Sequence, residues 1–466
     1  MAKVYHQEIF GLRDEKYDWL KSHSISNVEW KEIEPQSEFY LFKPLDTKYH
    51  EEYQSFMKVT DIFIENSVGV VTARDELTIG WTKDEIWQRI HNFSKLDKEI
   101  ARQTYKLGND ARDWKVELAQ KDLIDSGLDK NHLTQILYRP FDKRYTYYTG
   151  QSRGFHCMPR KQVMKHMFSE NIGLITIRHS RSPKLWNFAF VSNQIIAGAT
   201  AVTSLDINYF FPLYLYPNID KKNFTLENIE QNAGEKIPNI NPELFRKLKK
   251  QFTPSPLTPL PKGEGNRENP LPLGEDLGEG INITPESIFY YVYAVLYSNI
   301  YREKYKEFLK IDFPRIPFTK DYEQFIALGK LGERLANIHL LSSTELENVI
   351  SKFPIEGNCK VEKVVWEAPS PLTPLPLGEG NKESPLPTGE DLGEGGKVYI
   401  NKFQYFDGIK EDVWKYHIGG YQVCDKWLKD RKGRTLSLEE IKTYCKIVTA
   451  LAKTIEIQSK IDELYE

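Results

Sequence analysis

The chain has 466 residues, of which 40% are hydrophobic and 28% are charged, and its formal net charge at pH 7 is −3. This composition is typical of a folded globular protein with room for two or three domains, and it excludes a chain that is disordered throughout. The first residues lack the apolar core of a signal peptide, and the longest uncharged run, residues 185–205, is interrupted by polar residues, so we predict no membrane-spanning segment.

Short strands and turns are expected over residues 1–45. The expected strands are residues 3–10, 28–33 and 39–42. Residues 56–80 continue in extended style, with apolar runs at 62–64 and 68–72. The beginning of the chain is therefore predicted to consist of β-structure.

A helical region is predicted to begin at Thr82, because Glu85 follows it at the spacing of a capping box. It continues with interruptions to about residue 124. In the middle of the chain we expect strands within residues 136–149 and a helix near residues 160–168, after a proline. Further strands are expected, from their aromatic and β-branched content, at residues 172–178, 186–197 and 209–216.

Three helices are predicted in the last part of the chain. The first begins at Thr284, which is followed by proline, and the second spans residues 321–341, where apolar residues recur at helical spacing. The third begins at Ser437, which forms a capping box with Glu440. The apolar stripes of these helices are interpreted as packing surfaces, and the pattern as a whole predicts an α+β protein of two lobes.

Two segments of 26 residues, 255–280 and 370–395, are nearly identical copies of each other. Both are dense in proline and glycine and lack helical or strand periodicity, so we predict disordered loops, inserted twice as one mobile sequence element. They carry net charges of −3 and −4, and removing both from the total of −3 leaves +4 for the remainder.

The four cysteines show no C-x-x-C pair; they are at positions 157, 359, 424 and 445. These unrelated spacings predict reduced thiols in a cytoplasmic protein. The one group that invites a metal is His156, Cys157 and His166. A structural zinc site normally has four ligands at tighter spacings, so we predict no metal site.

A basic and aromatic segment is the most informative part of the sequence. Residues 143–205 contain nine lysines and arginines against one acid, Glu170, and aromatic residues interleave with the cations over residues 138–148. Such a local excess is typical of a phosphate-binding surface. The alternative is a solvated face whose acidic partners lie elsewhere in the sequence, and the segment alone does not decide between the two.

Catalytic motifs are missing from the sequence. An adenine-N6 or cytosine-N4 methyltransferase needs a [D/N]-P-P-[Y/F] turn and a glycine-rich turn after a strand, and neither occurs; a P-loop is also missing. The E-x-K tripeptides at residues 29–31 and 440–442 match part of a nuclease motif, and we interpret them as chance matches. We therefore predict no catalytic residue, and no activity of this chain on its own.

Seven blocks carry a resemblance to a known family. The chain resembles the C-terminal part of type ISP restriction-modification enzymes, and more loosely the target-recognition regions of single-chain restriction enzymes fused to adenine methyltransferases. The blocks are Val4–Gly11, Thr72–Asp75, Leu137–Arg144, Phe210–Pro217, Phe289–Leu296, Phe313–Pro317 and Ile418–Gln422.

The resemblance implies a function and its partners. In that family one polypeptide carries a nuclease, a helicase-like motor, a coupler, an adenine-N6 methyltransferase and a target-recognition domain. The chain is then expected to bind double-stranded DNA and to act with a separately encoded methyltransferase, helicase or nuclease subunit. S-adenosylmethionine, ATP and Mg²⁺ are implied for those other domains alone. The alternatives are a truncated methyltransferase fragment without independent activity, or a protein-interaction remnant.

The resemblance also implies a mixed two-lobe target-recognition domain with a helical C-terminal part, preceded by a terminal piece of a methyltransferase-like α/β core. The expected segments are residues 1–45 (remnant of the methyltransferase core edge), 46–130 (junction and helical segment), 131–253 (β-rich basic DNA-recognition lobe), 254–280 (insertion), 281–345 (helical part of the recognition domain), 369–396 (insertion) and 397–466 (C-terminal strand and helices).

Twelve residues are candidates for contact with DNA. Arginines are the better candidates for reading bases, because the guanidinium can bond O6 and N7 of guanine together, whereas lysines are expected on phosphates. The predicted readout residues are Arg144, Arg153, Arg160, Arg178 and Arg181, and the predicted phosphate contacts are Lys143, Lys161, Lys165 and Lys184. By resemblance, Thr72 and Arg74 are expected to touch the DNA backbone near the modified base.

Arg139 is the twelfth candidate, and two interpretations of it stay open. It contacts DNA, or it forms a structural ion pair with Asp142. The aromatic residues Tyr145, Tyr147 and Tyr148 are predicted to belong to the strand core rather than to a platform for stacking bases.

Overall fold

The structure is a computed structural model that describes residues 3–35, 40, 42, 46, 48–182, 185–202, 206–216, 236–252, 283–369 and 395–465. The chain divides into two compact units, Met1–Ser55 and Phe56–Glu466. Half of the predicted strand at 39–42, almost all of both repeated segments, and Lys184 lie outside the described residues. None of the helices within the described ranges is long and apolar enough to cross a membrane.

The described residues of the first unit include two short antiparallel strands and two helices. The strands are β1 (Val4–His6) and β2 (Lys31–Ile33), and the helices are α1 (Arg13–Ser22) and α2 (His50–Gln54). The predicted strands at 3–10 and 28–33 are present in shortened form. Helix α1 was not predicted, and it buries none of its residues.

The second unit contains most of the elements. Its strands are β3 (Met57–Lys58), β4 (Ser67–Val68), β5 (Leu133–Arg139), β6 (Asp142–Tyr147), β7 (Gly173–Ile177), β8 (Phe190–Ser192), β9 (Ile195–Ile196), β10 (Asn208–Pro212), β11 (Tyr214–Leu215), β12 (Ile237–Pro238), β13 (Arg315–Ile316), β14 (Val365–Glu367), β15 (Gly396–Tyr399), β16 (Tyr405–Ile409), β17 (His417–Ile418) and β18 (Tyr421–Gln422).

Its described helices are α3 (Val59–Ile62), α4 (Asp75–Thr78), α5 (Lys83–Lys95), α6 (Lys98–Thr104), α7 (Val116–Asp125), α8 (Lys161–Met164), α9 (Pro242–Phe252), α10 (Pro285–Tyr297), α11 (Asn299–Lys304), α12 (Lys306–Leu309), α13 (Tyr322–His339), α14 (Glu411–Lys415), α15 (Val423–Lys429) and α16 (Leu438–Tyr465). Short 3-10 turns occur at Lys130–His132, Lys165–Phe168 and Thr344–Leu346.

Two sheets form the β-rich middle of this unit. The first is antiparallel with the order β4-β10-β7-β8, and its strand β7 is buried throughout, which explains why that strand is a continuous apolar run. The second has the order β6-β5-β9, in which β5 and β6 form a hairpin and β9 joins β5 in parallel. The hairpin turns at Phe141, whose φ is +61°.

One face of the β5–β6 hairpin packs against helices α5 and α7. The shared core includes Ile90 and Phe93 from α5, Leu123 from α7 and Tyr147 from β6, all fully buried. Helix α5 begins at Thr82, whose hydroxyl accepts a hydrogen bond from the backbone N–H of Glu85 at 3.1 Å, so this predicted helix start is confirmed.

The helical part consists mainly of α10, α13 and α16, which pack against one another. Gly332 of α13 lies where a side chain would overlap the carbonyl of Tyr290, so glycine permits the close approach of α10. All three predicted helices are confirmed, and Ser437 and Glu440 make the reciprocal bonds of the predicted capping box.

Two local predictions were wrong or too simple. Residues 62–64 were expected to be extended, but Ile62 ends the helical turn α3, where its side chain is fully buried. The helical region after Thr82 is three separate helices, α5 to α7. The mixed α+β architecture is confirmed.

Candidate nucleic-acid interface

A rigid loop, residues 149–160, presents cations beside the β5–β6 hairpin. Its anchor is Asp122 of α7, whose Oδ2 accepts hydrogen bonds from the Thr149 hydroxyl and the Phe155 backbone N–H, both at 2.8 Å. Burial raises the pKa of Asp122, against the effect of these two bonds. Gly154 passes so close that a Cβ there would overlap the Asp122 carboxylate. The loop is therefore held to Asp122 by two hydrogen bonds and packs closely against it at Gly154.

Three residues of this loop have left-handed backbone conformations. They are Gly150 (φ +74°), Arg153 (φ +58°) and Arg160 (φ +56°). For a residue other than glycine this conformation costs about 1–2 kcal/mol and persists only where surrounding contacts enforce it. Two arginines are held in this state within one short loop, which marks the loop as a candidate functional segment.

The loop that carries Asp113 lies against the loop of residues 149–160. The Arg153 backbone N–H donates to the Cys157 carbonyl at 2.9 Å, and the Cys157 thiol donates to the Asp113 carbonyl at 3.3 Å. Burial raises the pKa of Cys157, while the guanidinium groups of Arg160, Arg153 and Arg112 act in the opposite direction.

We call five cations at this place the basic rim; they are Arg112, Arg153, Arg160, Lys161 and Lys165. The Lys161 side chain lies beside Gly150, where a Cβ would be 2.9 Å from its Cδ. The pKa of Lys161 is lowered, first by burial and second by the charge of Lys165. The structure thus brings together four of the predicted residues, with Arg112 as a fifth member.

Arg112 was not predicted from the sequence, although its side chain is 89% exposed. It lies outside the cation-rich stretch, between Asp110 and Asp113, so a count of local charge gives no excess there. The signal that would have found it is its position in the fold, since the Asp113 loop meets the loop that carries Arg153.

Thr72 and Arg74 lie next to the two loops that carry the basic rim. The backbone of Val71 pairs with that of Met158, which brings the Thr72 segment to the loop of residues 149–160. The Thr72 hydroxyl donates to Asp75. The Arg74 guanidinium donates to the carbonyls of Leu107 at 2.7 Å and Asn109 at 2.9 Å, and it stacks on Trp114 with 4.8 Å to the ring centroid. Both side chains are engaged in internal contacts.

Arg144 lies in the interior, which argues against its predicted contact with DNA. Its side chain is 11% exposed and donates twice to Oδ2 of Asp142, at 2.8 and 2.9 Å. The guanidinium lies 3.9 Å from the Trp81 ring centroid. The charge of Arg144 is thus paired inside the fold, and its contact with DNA stays a prediction.

Arg139 and Lys143 flank this interior pair. Arg139 donates to the Tyr138 carbonyl at 2.7 Å and lies over the Tyr138 ring. The ion pair with Asp142 that we kept open for Arg139 is not among the contacts of the described residues, where Asp142 pairs with Arg144 and Arg431. Lys143 is exposed.

Arg178 and Arg181 follow the end of β7 and form a separate group. Arg178 Nε lies 3.2 Å from Oδ1 of Asp312, whose other oxygen pairs with Lys58 at 2.7 Å. Arg181 is exposed, and its backbone N–H donates to Asp206 at 3.1 Å. The predicted cations therefore do not form one continuous set, and the basic rim is the group in which they concentrate.

The aromatic residues behave as predicted. Tyr147 and Tyr148 are buried, and Tyr145 is half-buried, with its backbone paired to Gly80. The Tyr148 hydroxyl donates to the Pro159 carbonyl at 2.8 Å.

Across the part of the chain that the structure describes, no three His, Cys, Asp or Glu side chains converge on a possible metal position.

A family model describes the same stretch of chain. The model of the type ISP C-terminal specificity domain matches residues 61–460. This chain belongs to that family. The resemblance drawn from the sequence blocks is thereby confirmed, whereas a search of curated proteins gave no significant match.

Three solved structures share the fold, and two of them are of type ISP restriction-modification enzymes. A nuclease-deletion mutant of LlaGI in complex with a DNA substrate mimic has a TM-score of 0.60 at 17% identity, covering 98% of this chain and 39% of its own. The DrdV–DNA complex has a TM-score of 0.60 at 19% identity, covering 98% and 43%. The ATP-dependent enzyme LlaBIII bound to DNA has a TM-score of 0.58 at 18% identity, covering 93% and 26%. The type ISP specificity chain thus spans less than half the length of each of these three proteins.

Proposed function

We propose that this chain is the DNA-binding target-recognition module of a type ISP-like restriction-modification system, and that it directs an adenine-N6 methyltransferase and endonuclease to a DNA site. The observation that carries the proposal is the basic rim on a rigid loop of a type ISP specificity domain. The similar enzymes were solved with DNA or a DNA mimic, which supports the same conclusion.

The cations of the rim divide into two kinds of contact. Lys161 and Lys165 suit phosphate oxygens, which fix the register of a protein on the duplex and supply salt-sensitive affinity. Arg153 and Arg160 suit base edges, because a planar guanidinium can make two parallel bonds to guanine. Arg178 and Arg181 are proposed as a second group of contacts, and Lys143 as a further phosphate contact.

The test is the salt dependence of DNA binding by the purified full chain. In the double variant Arg160→Ala with Lys161→Ala we expect weaker binding to a duplex in a gel-shift assay. The slope of log affinity against log salt should shrink by about 0.9, because Lys161 is lost as one phosphate contact. Unchanged binding and slope would refute the proposed surface.

A matched control is available on α9. Arg246 and Lys247 are likewise an adjacent arginine–lysine pair, and both are exposed. The double variant Arg246→Ala with Lys247→Ala changes the net charge by the same amount at another place. It should leave the slope unaltered if the basic rim, and not total charge, binds the DNA.

We further propose that the segments keep the roles implied by the family, with residues 131–253 as the DNA-recognition lobe and residues 1–45 as an edge of the methyltransferase core. Exposed apolar side chains in the first unit support the binding of a partner subunit there: Phe10, Leu12 and Ile25 are 81%, 73% and 85% exposed. Replacing Phe10 and Ile25 by Glu should abolish co-purification with a methyltransferase subunit while DNA binding persists.

The chain by itself is proposed to have no methyltransferase activity. Its sequence contains no [D/N]-P-P-[Y/F] motif. Transfer of radiolabel from S-adenosylmethionine to DNA by the isolated chain should therefore stay at background. Transfer above background would favour the alternative of a methyltransferase fragment.

A further inference from the structure

We propose that Asp113 is a positioning residue that holds Arg153 and Arg112 for the recognition of guanine, an inference that rests on the proposed DNA-binding function. The Asp113 carboxylate lies between the two guanidinium groups. Oδ2 is 2.6 Å from Nη2 of Arg112, and Oδ1 is 3.3 Å from Nη2 of Arg153. The two arginines are 89% and 61% exposed, whereas the side chain of Asp113 is only 20% exposed.

A carboxylate at this place needs an explanation. It repels DNA phosphates, and exposed ion pairs contribute little to folding stability. What it does provide is a fixed position for two long, flexible side chains, whose ordering would otherwise weaken binding. Asp113 thus weakens the non-specific attraction to DNA and fixes the orientation of the two arginine side chains.

Arg153 keeps a free edge for a base. A guanidinium has five N–H donors in a planar fork, and the pair with Asp113 engages one nitrogen, Nη2. Guanine presents O6 and N7 side by side in the major groove, and an arginine fork can bond both at once. The chemistry that Asp113 prepares is therefore that of guanine recognition.

The backbone fixes the same pair independently of the carboxylate. Arg153 has its left-handed conformation, and its N–H donates to Cys157, whose thiol donates to the Asp113 carbonyl. A further bond joins the neighbours of the two ion-pair residues: Trp114, next to Asp113, donates from Nε1 to the carbonyl of Phe155, two residues after Arg153, at 3.2 Å. These bonds hold the two loops together beside the ion pair, so the guanidinium starts from a defined place.

Alternative roles predict different results. If Asp113 only tied the loops together, its loss would lower stability and affect all DNA sequences equally. If it were an ordinary solvated acid, its removal would raise affinity for all sequences equally, with no change in base preference. A positioning role predicts that affinity for random DNA rises while the preference for guanine falls.

The experiment selects bound duplexes from a randomised DNA library and sequences them, with the full chain and its Asp113→Asn variant. The wild type should enrich a motif that contains guanine. Asp113→Asn should bind random duplex more tightly at low salt, because one repulsive charge is gone, and its preference at one guanine should fall about fivefold or more.

Two further variants keep the test decisive. Asp113→Glu retains the charge and should restore much of the preference. Arg153→Lys keeps the positive charge but removes the fork, so it should lose the same guanine preference while its affinity for random duplex stays unchanged. As a control, Glu345→Gln removes an acid that pairs with Arg334 at 2.6 Å, and the enriched motif should not change.

The outcomes separate this inference from the proposed function. If the wild type enriches a motif and both Asp113→Asn and Arg153→Lys keep it, the positioning role is wrong and DNA recognition stands. If the wild type neither binds duplex nor enriches a motif, the proposed function fails and the inference fails with it. Should Asp113→Asn not fold, Arg153→Lys carries the test: if it keeps the guanine preference of the wild type, Arg153 does not read guanine and the inference is wrong.

Discussion

Asp142 and Arg431 form a buried ion pair across 289 positions of the sequence: Nη2 of Arg431 lies 2.9 Å from Oδ1 of Asp142. The two side chains are 1% and 5% exposed. Asp142 accepts from Arg144 as well, and both guanidinium groups lie over the ring of Trp81. The pair joins strand β6 to the end of helix α15, so the β-rich middle and the C-terminal helices share one charged core.

Removing the Asp142 charge should destabilise the fold strongly. Asp142→Asn leaves two guanidinium groups buried without their common acceptor, and breaking a buried pair costs about 3–5 kcal/mol. Urea unfolding should show that loss in the free energy of unfolding. As a control, Glu411→Gln breaks the exposed pair with Lys415, for which we expect less than about 1 kcal/mol. Equal effects of the two variants would contradict the proposed core.

Arg144 and Arg160 should behave differently although both belong to the same basic segment. Arg144→Ala removes an internal partner of Asp142, so we expect a lower melting temperature with the salt slope of DNA binding unchanged. Arg160 is exposed and is proposed to contact a base edge, so Arg160→Ala should weaken binding to the recognised site and leave the melting temperature almost unaffected. Thermal unfolding and gel shifts at several salt concentrations check both variants, and a reduced salt slope for Arg144→Ala would contradict its structural role.

The contrast between these two arginines shows what the sequence can and cannot predict. Helix starts at Thr82, Thr284 and Ser437 were predictable because a cap and its partner lie within a few residues. The partner that neutralises Arg144 is Asp142, which the sequence placed nearby, but the burial of both depends on Arg431, far along the chain. A local count of charge therefore does not distinguish a buried, paired arginine from an exposed one.

The same reasoning explains two omissions. Helix α1 was missed because it buries none of its residues, so it lacks the apolar stripe by which amphipathic helices are found. Arg112 was missed because acids flank it, and only the contact between two loops reveals its role. Predictions from sequence succeed where the determining contacts are local and fail where they are made by tertiary packing.

Adding one methyl group at Gly154 should disturb the loop of residues 149–160. In Gly154→Ala the Cβ would overlap the carboxylate of Asp122, which anchors Thr149 and Phe155, so the loop has to shift. Overpacking of this kind costs about 1–3 kcal/mol, and we expect weaker sequence preference in DNA binding as well. In the control Gly329→Ala, the new Cβ would lie in ordinary contact at 3.6 Å, so stability should be unchanged or higher. A Gly154→Ala protein with unchanged stability and unchanged sequence preference would contradict the close packing of Gly154 on Asp122.

Deleting the two repeated segments should not weaken the fold. Residues 255–280 and 370–395 are rich in proline and glycine and have few residues able to join a core. Shortening a long loop alters the entropy of loop closure only slightly, by about 0.6 kcal/mol for each halving. We expect the double deletion to keep the melting temperature and the DNA affinity of the full chain. A loss of several degrees would show that the segments contribute to stability.

Acid should destabilise the protein through His156. Its Nε2 lies 2.8 Å from the Thr146 hydroxyl, which donates its own hydrogen to the Thr78 carbonyl at 2.7 Å, so Nε2 carries the proton of a neutral ring. Burial lowers the pKa of His156 to about 4. Because the unfolded chain binds this proton near pH 6.5, the stability that the neutral ring contributes is complete above that pH. It is lost as the pH falls from about 6.5 through 4.

The variant His156→Gln keeps a donor near the position of Nε2 and removes the titration. Unfolding free energies measured between about pH 7 and pH 4 should decline less steeply for the variant, by about 1.4 kcal/mol per pH unit at most, which is the effect of one proton. The decline should not vanish, because burial also lowers the pKa of His166 to about 4 and that of His339 to about 3. Identical slopes for the two proteins would mean that His156 titrates alike in the folded and unfolded chain, against its burial beside Thr146.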